Sequence, residues 1–291
     1  MLSLNIKPTD DGIILPPGLI LKRPGILIPV FFLSLVHGTV CCQDPIPGTA
    51  SASLGGSSVC LQDYWCTGQN QAGLGFIEQS SVTLQHSMPY LLKELGISSL
   101  AGQFTFQRGA LGALLSTMGL RGLRQNSLWL SYGLRLHPDI SAGLGIHFWN
   151  TSCTEQLIYA PGISFALGLQ IRINKQWNLG ARLIHPVKWS DRDPFPIQAF
   201  MSIETGFSYS FFRSAQLYLE LHIKPGGGII VCSGMEWALK KQISLRTGIC
   251  TGPFTYSWGI SMKFTKWIAE FSFQYRTDTG LSPLTSLTHA W

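Results

Sequence analysis

The sequence predicts an all-β fold, a fourteen-stranded antiparallel transmembrane β-barrel with a short N-terminal plug segment. Apolar and polar residues alternate over most of the chain, the apolar positions are rich in aromatic side chains, and the connections between alternating stretches are short. A period of two places successive side chains on opposite faces of a β-strand. An apolar outer face and a polar inner face are typical of transmembrane barrels.

The composition also favours a membrane protein without helical spans. Charged residues make up 12% of the 291 residues, against roughly 25% in soluble domains. After the N-terminus no run of apolar residues is long enough for a spanning helix. Lipid accepts only backbones that close their own hydrogen bonds, which leaves a barrel. The net charge of +6 comes from dispersed basic residues, which argues against nucleic-acid binding.

Residues 1–42 are predicted to be a cleaved signal peptide. A basic pair at 22–23 precedes an apolar run at 25–36, and small residues follow. A basic start, a short apolar stretch and a small-residue cleavage site are the three parts of an export signal. Two alternatives stay open: lipidation of Cys41 or Cys42, as in a lipoprotein, and a true start further along the chain.

Residues 43–77 do not alternate and are predicted to form the plug, followed by a barrel over 78–291. The plug region contains Gly-Gly-Ser-Ser-Val-Cys-Leu-Gln-Asp-Tyr-Trp at 55–65 and Asn-Gln-Ala-Gly-Leu at 70–74. This resembles the N-terminal motif of the PorV/PorQ group within the FadL-type outer-membrane barrels. The matching positions are Asn70, Ala72, Gly73 and Leu74, and Gln71 replaces the expected proline. The resemblance implies fourteen strands and an N-terminal plug.

Fourteen strands are predicted from the alternation. Between Phe254 and Phe264, for example, every even-numbered residue is large and apolar. In the best-patterned strands no charged residue falls on the apolar face, as lipid requires, because Arg or Lys at mid-membrane costs about 2–4 kcal/mol. The predicted strands lie at 79–87, 97–107, 110–119, 126–136, 139–150, 161–174, 176–185, 196–211, 215–224, 228–239, 241–250, 253–264, 266–276 and 281–291.

The connections predict the orientation of the barrel. They are tight after even-numbered strands, and several after odd-numbered strands are longer, at 88–96, 151–160 and 186–195. Short periplasmic turns and longer outer loops are typical of such barrels. We therefore expect both termini in the periplasm and the chain among the lipids of a Gram-negative outer membrane. The final Trp291 resembles the terminal aromatic signal for outer-membrane assembly.

Charged residues predicted on the inner face are the candidates for chemistry. They carry both signs, which fits ion pairs between plug and wall, with a permeation path or ligand site as the alternative. They are Arg135, His147, Arg172, Arg182, Glu204, Glu220, His222, Glu236, Arg246, Glu270 and Arg276. Adjacent strand residues point to opposite faces, so the pair His86 and Ser87 cannot act as a dyad. We predict a protein that is not an enzyme and has no cofactor.

The cysteines allow two candidate disulfides and give no zinc-ligand spacing. Cys60 and Cys66 lie close together in the predicted plug and either pair in the oxidising periplasm or remain separate thiols. Cys232 and Cys250 are predicted to lie opposite one another on the inner face of neighbouring strands, where a bridge is geometrically allowed.

Two functions from different classes remain open. The resemblance implies an accessory or docking barrel for protein export, as in type IX secretion, with exported proteins or secretion components as partners, or else a structural role in the membrane. The alternative is a FadL-like conduit for small hydrophobic molecules. The sequence shows no clear apolar pocket on the inner face, which weighs against transport, and its short loops leave little surface for a large partner.

Overall fold

The computed structural model describes residues 48–120, 122–153, 158–190, 201–212, 214–225 and 228–291. The predicted signal peptide and the first residues of the predicted plug, 43–47, lie outside these ranges. Among the described residues, no helix is both long and apolar enough to cross a membrane.

Fourteen antiparallel strands form a closed barrel in which each strand pairs with its neighbours in sequence and β14 pairs back with β1. The predicted fold class is therefore confirmed. The strands are β1 Ser81–Ser87, β2 Ile97–Phe106, β3 Gly109–Leu120, β4 Leu123–His137, β5 Ile140–Cys153, β6 Ile158–Arg172, β7 Trp177–Ser190, β8 Ser202–Phe212, β9 Ala215–Lys224, β10 Gly228–Lys240, β11 Ile243–Thr251, β12 Phe254–Phe264, β13 Trp267–Arg276 and β14 Gly280–Ala290.

The two faces of the wall separate as the alternation predicts. On β1, Thr83 and Gln85 point inwards and are buried, whereas Leu84 between them is 57% exposed. On β12, Trp258 is 46% exposed and its neighbour Ser257 is buried. Exposed aliphatic and aromatic side chains on one face of every strand give the apolar outer surface that lipid requires.

Strands β4 to β7 are longer than the alternation predicts. The predicted loop at 151–160 is mostly strand, because β5 and β6 pair from Asn150 opposite Pro161 to Cys153 opposite Ile158. Polar residues at the ends of these strands break the hydrophobic pattern without breaking the hydrogen-bond ladder. In contrast, β1 has only seven residues, and the chain after it forms two 3-10 turns, Pro89–Leu91 and Lys93–Leu95.

The N-terminal segment, residues 48–77, contains one short helix, α1 (Thr49–Ser53), and a 3-10 helix at Gln71–Phe76. Every residue of both helices is buried. A segment this short cannot form a core of its own, so its burial comes from contact with the barrel wall.

Candidate functional site

The N-terminal segment is held by inward-facing side chains from widely separated strands. The backbone N–H of Gly48 donates to Gln85 on β1 at 2.9 Å, and that of Gly55 donates to Ser257 on β12 at 2.8 Å. On β6, the Gln170 amide donates to a carbonyl of the segment at 2.8 Å. Buried backbone groups need such partners, so the inner face supplies the hydrogen bonds that this irregular segment cannot make internally.

Inner-face glycines provide the space for the segment. A Cβ at eight of them would come closer to an atom of the segment than real side chains allow, as at Gly133 against Gln71 and at Gly248 against Gly55. The glycines of this kind are Gly112, Gly133, Gly143, Gly168, Gly180, Gly234, Gly248 and Gly259. Their absent side chains let the two backbones approach closely.

The predicted plug motif forms a tight turn inside this contact. The Asn70 side chain accepts a hydrogen bond from the Ala72 N–H at 3.1 Å, which caps the 3-10 helix that follows. Its amide group donates to the Val59 carbonyl at 2.7 Å. Leu74 is fully buried in a cluster with Cys66, and Gly73 lies so near the Cys66 side chain that a Cβ would clash with it.

Two groups of the predicted inner-face charges surround the segment. In the first, Glu220 accepts hydrogen bonds from the Ser58 N–H at 2.6 Å and from His222 at 2.7 Å. On the neighbouring strands, Arg182 pairs with Glu204 at 3.7 Å and donates to the carbonyl of Gly68 in the segment at 2.8 Å.

In the second group, Arg246 lies between two carboxylates, at 2.6 Å from Glu270 and 3.3 Å from Glu236. Close to this group, burial raises the pKa of Asp63 in the segment to about 7; the hydrogen bond from the Trp65 N–H opposes the shift, and the charge of Glu270 adds to it.

Three more of the predicted charged residues lie at the two ends of the barrel. At the short-turn end, the guanidinium groups of Arg135 and Arg172 lie 5.6 and 3.8 Å from the ring centroid of Phe76, the last residue of the 3-10 helix. Cation–aromatic contacts of this kind are attractive. At the opposite end, Arg276 donates to the Tyr90 hydroxyl at 2.8 Å.

His147 belongs to an aromatic cluster in the lumen that the sequence analysis missed. Its ring stacks on Trp129 with centroids 4.1 Å apart, and Trp149 and His185 follow at 5.0 and 5.6 Å. Trp129 also packs in one buried group with Trp65, Leu114 and Ile184. The inner face therefore carries a cluster of apolar and aromatic side chains, which the sequence analysis did not identify.

One feature of β7 explains part of this omission. The pairing of β6 with β7 shifts register between Ser164 and Ala166, and two successive β7 residues, Ile184 and His185, are both buried. A bulge redirects a side chain that strict alternation would place on the other face. The sequence signal for this bulge is Pro186, because proline inside a strand is confined to edges, strand starts and bulges. The inward tryptophans follow from the predicted strand parity.

The cysteines behave differently from one another. Cys232 and Cys250 form a disulfide between β10 and β11, with Cα atoms 4.2 Å apart. Cys60 and Cys66 are free and buried, so the candidate bridge between them does not form. Their thiols point apart, because Cys60 donates to wall carbonyls such as that of Gly206, whereas Cys66 donates to the carbonyl of Leu61. Burial raises the pKa of both thiols.

Neither a dyad of His86 with Ser87 nor a metal-binding cluster is present among the described residues. His86 is exposed on the outer face and contacts Ser98, whereas Ser87 points inwards. Across the described ranges, no group of three or more His, Cys, Asp and Glu residues is placed to hold a metal ion. The arrangement can instead hold an irregular segment and present aromatic rings inside a barrel.

Comparisons with known proteins establish the fold. No protein-family model and no curated protein sequence matches the chain. The structure is similar to the monoaromatic hydrocarbon channel CymD (TM-score 0.64, 13% identity, 84% of this chain and 96% of that one). It is also similar to the toluene transporter TbuX of Ralstonia pickettii (0.61, 11%, 84% and 98%) and to a FadL homologue of Pseudomonas aeruginosa (0.57, 11%, 84% and 98%).

These similarities define the class of the molecule as a closed fourteen-stranded antiparallel barrel with the architecture of the FadL-type outer-membrane barrels. They agree with the FadL-type part of the resemblance in the sequence and carry no information on the PorV/PorQ group. At these identities the likeness concerns the fold, and function has to be argued from the lumen itself.

Proposed function

We propose that this chain is an outer-membrane conduit for small hydrophobic molecules, with residues 43–77 as the plug of its lumen. The observation that carries the proposal is the cluster of Trp129, His147, Trp149 and His185 beside the N-terminal segment. Flat aromatic faces hold apolar and aromatic molecules by stacking and by removing apolar surface from water. The channels with the same architecture that carry monoaromatic hydrocarbons support this choice of substrate.

The charged groups have a holding role in this proposal. Glu220 and Arg182 bond to backbone groups of the segment, so they keep it seated while the lumen is empty. A molecule entering from the loop end meets the aromatic cluster first, and it passes only when part of the segment moves. The many polar contacts, each worth about 0.5–1.5 kcal/mol, allow stepwise rather than complete release.

Uptake of a labelled small aromatic hydrocarbon, such as toluene, by cells that express the chain tests the proposal. Uptake should exceed that of cells with an empty vector, and the double substitution Trp129→Ala and Trp149→Ala should reduce it several-fold. Trp258→Ala, which removes an outward-facing tryptophan, is the matched control and should leave uptake unchanged. Equal uptake with and without the barrel would contradict the proposal.

The accessory role in protein export that the PorV/PorQ resemblance implies, with exported proteins or secretion components as partners, remains the second candidate. One observation favours it: Leu91 and Leu92 in the connection after β1 are 56% and 49% exposed, and exposed apolar side chains on a loop are typical of contact sites. Co-purification of a secretion component would support docking over transport. This co-purification should be lost in the double variant Leu91→Ser, Leu92→Ser and kept in the double variant Trp129→Ala, Trp149→Ala.

A further inference from the structure

The outer face of the barrel carries a groove across six neighbouring strands, β13, β14, β1, β2, β3 and β4. Its volume is about 820 Å³. Most of its lining residues point outwards, among them Leu84, Ala269 and Phe271, whereas the inward-pointing ones, such as Gln85 and Ser116, each lie between two outward-pointing neighbours that also line the groove. The groove therefore opens towards the surrounding membrane and not into the lumen.

The strand registers show that the groove is formed by two parallel rows of outward-facing residues. The apolar row is Ala269, Leu287, Leu84, Leu100 and Leu115, and the second row is Phe271, Thr285, His86, Ser98, Thr117 and Asn126. Strands lie about 4.8 Å apart, so six strands give a groove roughly 24 Å long. This length is comparable to that of an extended acyl chain.

The polar row is unusual for a surface that faces lipid. Thr285 lies at the centre of β14, five residues from either end of that strand. His86 and Ser98 bond to each other at 3.1 Å. Among the described residues, the side chains of Thr117, Asn126 and Thr285 make no hydrogen bond. A polar group without a partner is costly in hydrocarbon, so these side chains need partners from outside the protein.

We propose that this groove binds one acyl-chain lipid of the membrane. The chain lies along the leucine row, and the ester and glycerol oxygens of the lipid accept hydrogen bonds from the second row. No Lys or Arg lines the groove, which suits these neutral oxygens better than a phosphate. The groove opens into the bilayer, where lipid is the abundant occupant. The inference does not depend on transport through the lumen.

Photo-crosslinking in liposomes tests this site. The full-length protein is reconstituted with a phospholipid that carries a diazirine in its acyl chain, and the labelled peptides are mapped. Peptides from 81–120 should carry several-fold more label than peptides from 243–264, which belong to an outer face of the same barrel without the groove. Uniform labelling of the two regions in the wild-type protein would overturn the proposal.

Substitutions identify the contacts that hold the lipid. The triple variant Ser98→Leu, Thr117→Val, Asn126→Leu removes donors, and Ala269→Phe fills one end of the groove; both should bring the labelling of 81–120 down to that of 243–264. The matched controls, Thr247→Val and Ala142→Phe, change outward-facing residues elsewhere and should keep the enrichment. Unchanged enrichment in both groove variants would contradict the assignment.

Competition distinguishes a membrane lipid from a transported amphiphile. Excess unlabelled phospholipid should displace the probe, whereas displacement by a free fatty acid alone would overturn the choice of occupant. The double substitution Trp129→Ala and Trp149→Ala should leave the labelling unchanged. Uptake tests the proposed conduit and labelling tests the lipid groove. Because each can be lost while the other is retained, the failure of one proposal is distinguishable from the failure of the other.

Discussion

The carboxylate of Glu220 on β9 accepts a hydrogen bond from the backbone N–H of Ser58 at 2.6 Å, and the next N–H, that of Val59, donates to the same oxygen at 2.9 Å. The other carboxylate oxygen bonds to His222. Glu220 is only 2% exposed. A single wall residue thus fixes one turn of the N-terminal segment with two charge-assisted bonds, which are stronger than neutral ones.

Removal of this contact should loosen the segment without unfolding the barrel. Glu220→Ala leaves two buried N–H groups without a partner, at a cost of about 1–3 kcal/mol each. We expect proteases to cut within residues 48–77 of the folded variant faster than in the wild type. Mass spectrometry of the fragments measures this. Glu94→Ala, at an exposed position, is the control. Equal protection of the segment in both variants would show that Glu220 does not hold it.

The alternation in the sequence predicts the wall but not what the wall holds. Gln170 and Ser257 occupy polar-face positions, and the pattern alone suggests that such positions tolerate change. In the structure both are fully buried against the N-terminal segment, where Gln170 donates to Val59 and Ser257 accepts from Gly55. A period of two reports which face a residue occupies; it does not report whether that face meets water or another part of the chain.

Charge substitutions separate the two faces. Leu167→Arg and Trp258→Lys place a charge in lipid, at an expected cost of about 2–4 kcal/mol near the midplane, and should impair insertion into liposomes. Ser116 points inwards at a half-buried position, so the variant Ser116→Lys should insert normally. Insertion is read from the heat-dependent mobility of the folded barrel on a gel. If Ser116→Lys fails as often as the other two, the assignment of faces is wrong.

The charge of Asp63 should make the seating of the segment depend on pH. Its pKa is raised from an ordinary value near 4 to about 7 by burial, with opposition from the Trp65 N–H and Arg246 and reinforcement from Glu270 and Glu236. Because the folded state favours the neutral carboxyl, the contribution of Asp63 to the stability of the folded protein is fully present below pH 4. It is lost progressively as the pH rises from 4 to 7.

Asp63→Asn should therefore match the wild type at pH 4 and exceed it in Tm at pH 8. The amide oxygen can still accept from Trp65, which keeps the local turn. The measurement is the temperature of the gel-mobility transition at the two pH values, with Glu78→Gln as an exposed control. A gain in Tm of the same size at both pH values would mean that ionisation of Asp63 is not the cause.

The interior of the barrel was the part least accessible from the sequence. Parity places Trp129 and Trp149 on the inner face, yet only the pairing of Trp129 with His147 across β4 and β5 brings the two tryptophans into one cluster. The role of the inner-face glycines likewise cannot be inferred from the sequence of a single strand. Gly133 and Gly248 make room for a segment that lies more than fifty residues away in sequence. Such long-range relationships leave no periodic signal.

The last prediction concerns the segment as a whole. Fourteen strands enclose more space than wall side chains fill, since about eight strands already give an interior that side chains just fill. Deletion of 43–77 should therefore leave a barrel that inserts and conducts ions several-fold better in a planar bilayer. Gly133→Val and Gly248→Val, which place a side chain where the segment lies, should raise the conductance without any deletion. Gly102→Val, at a position with open space around it, is their control. Unchanged conductance in the deletion and in both glycine variants would mean that the lumen is closed by something other than this segment.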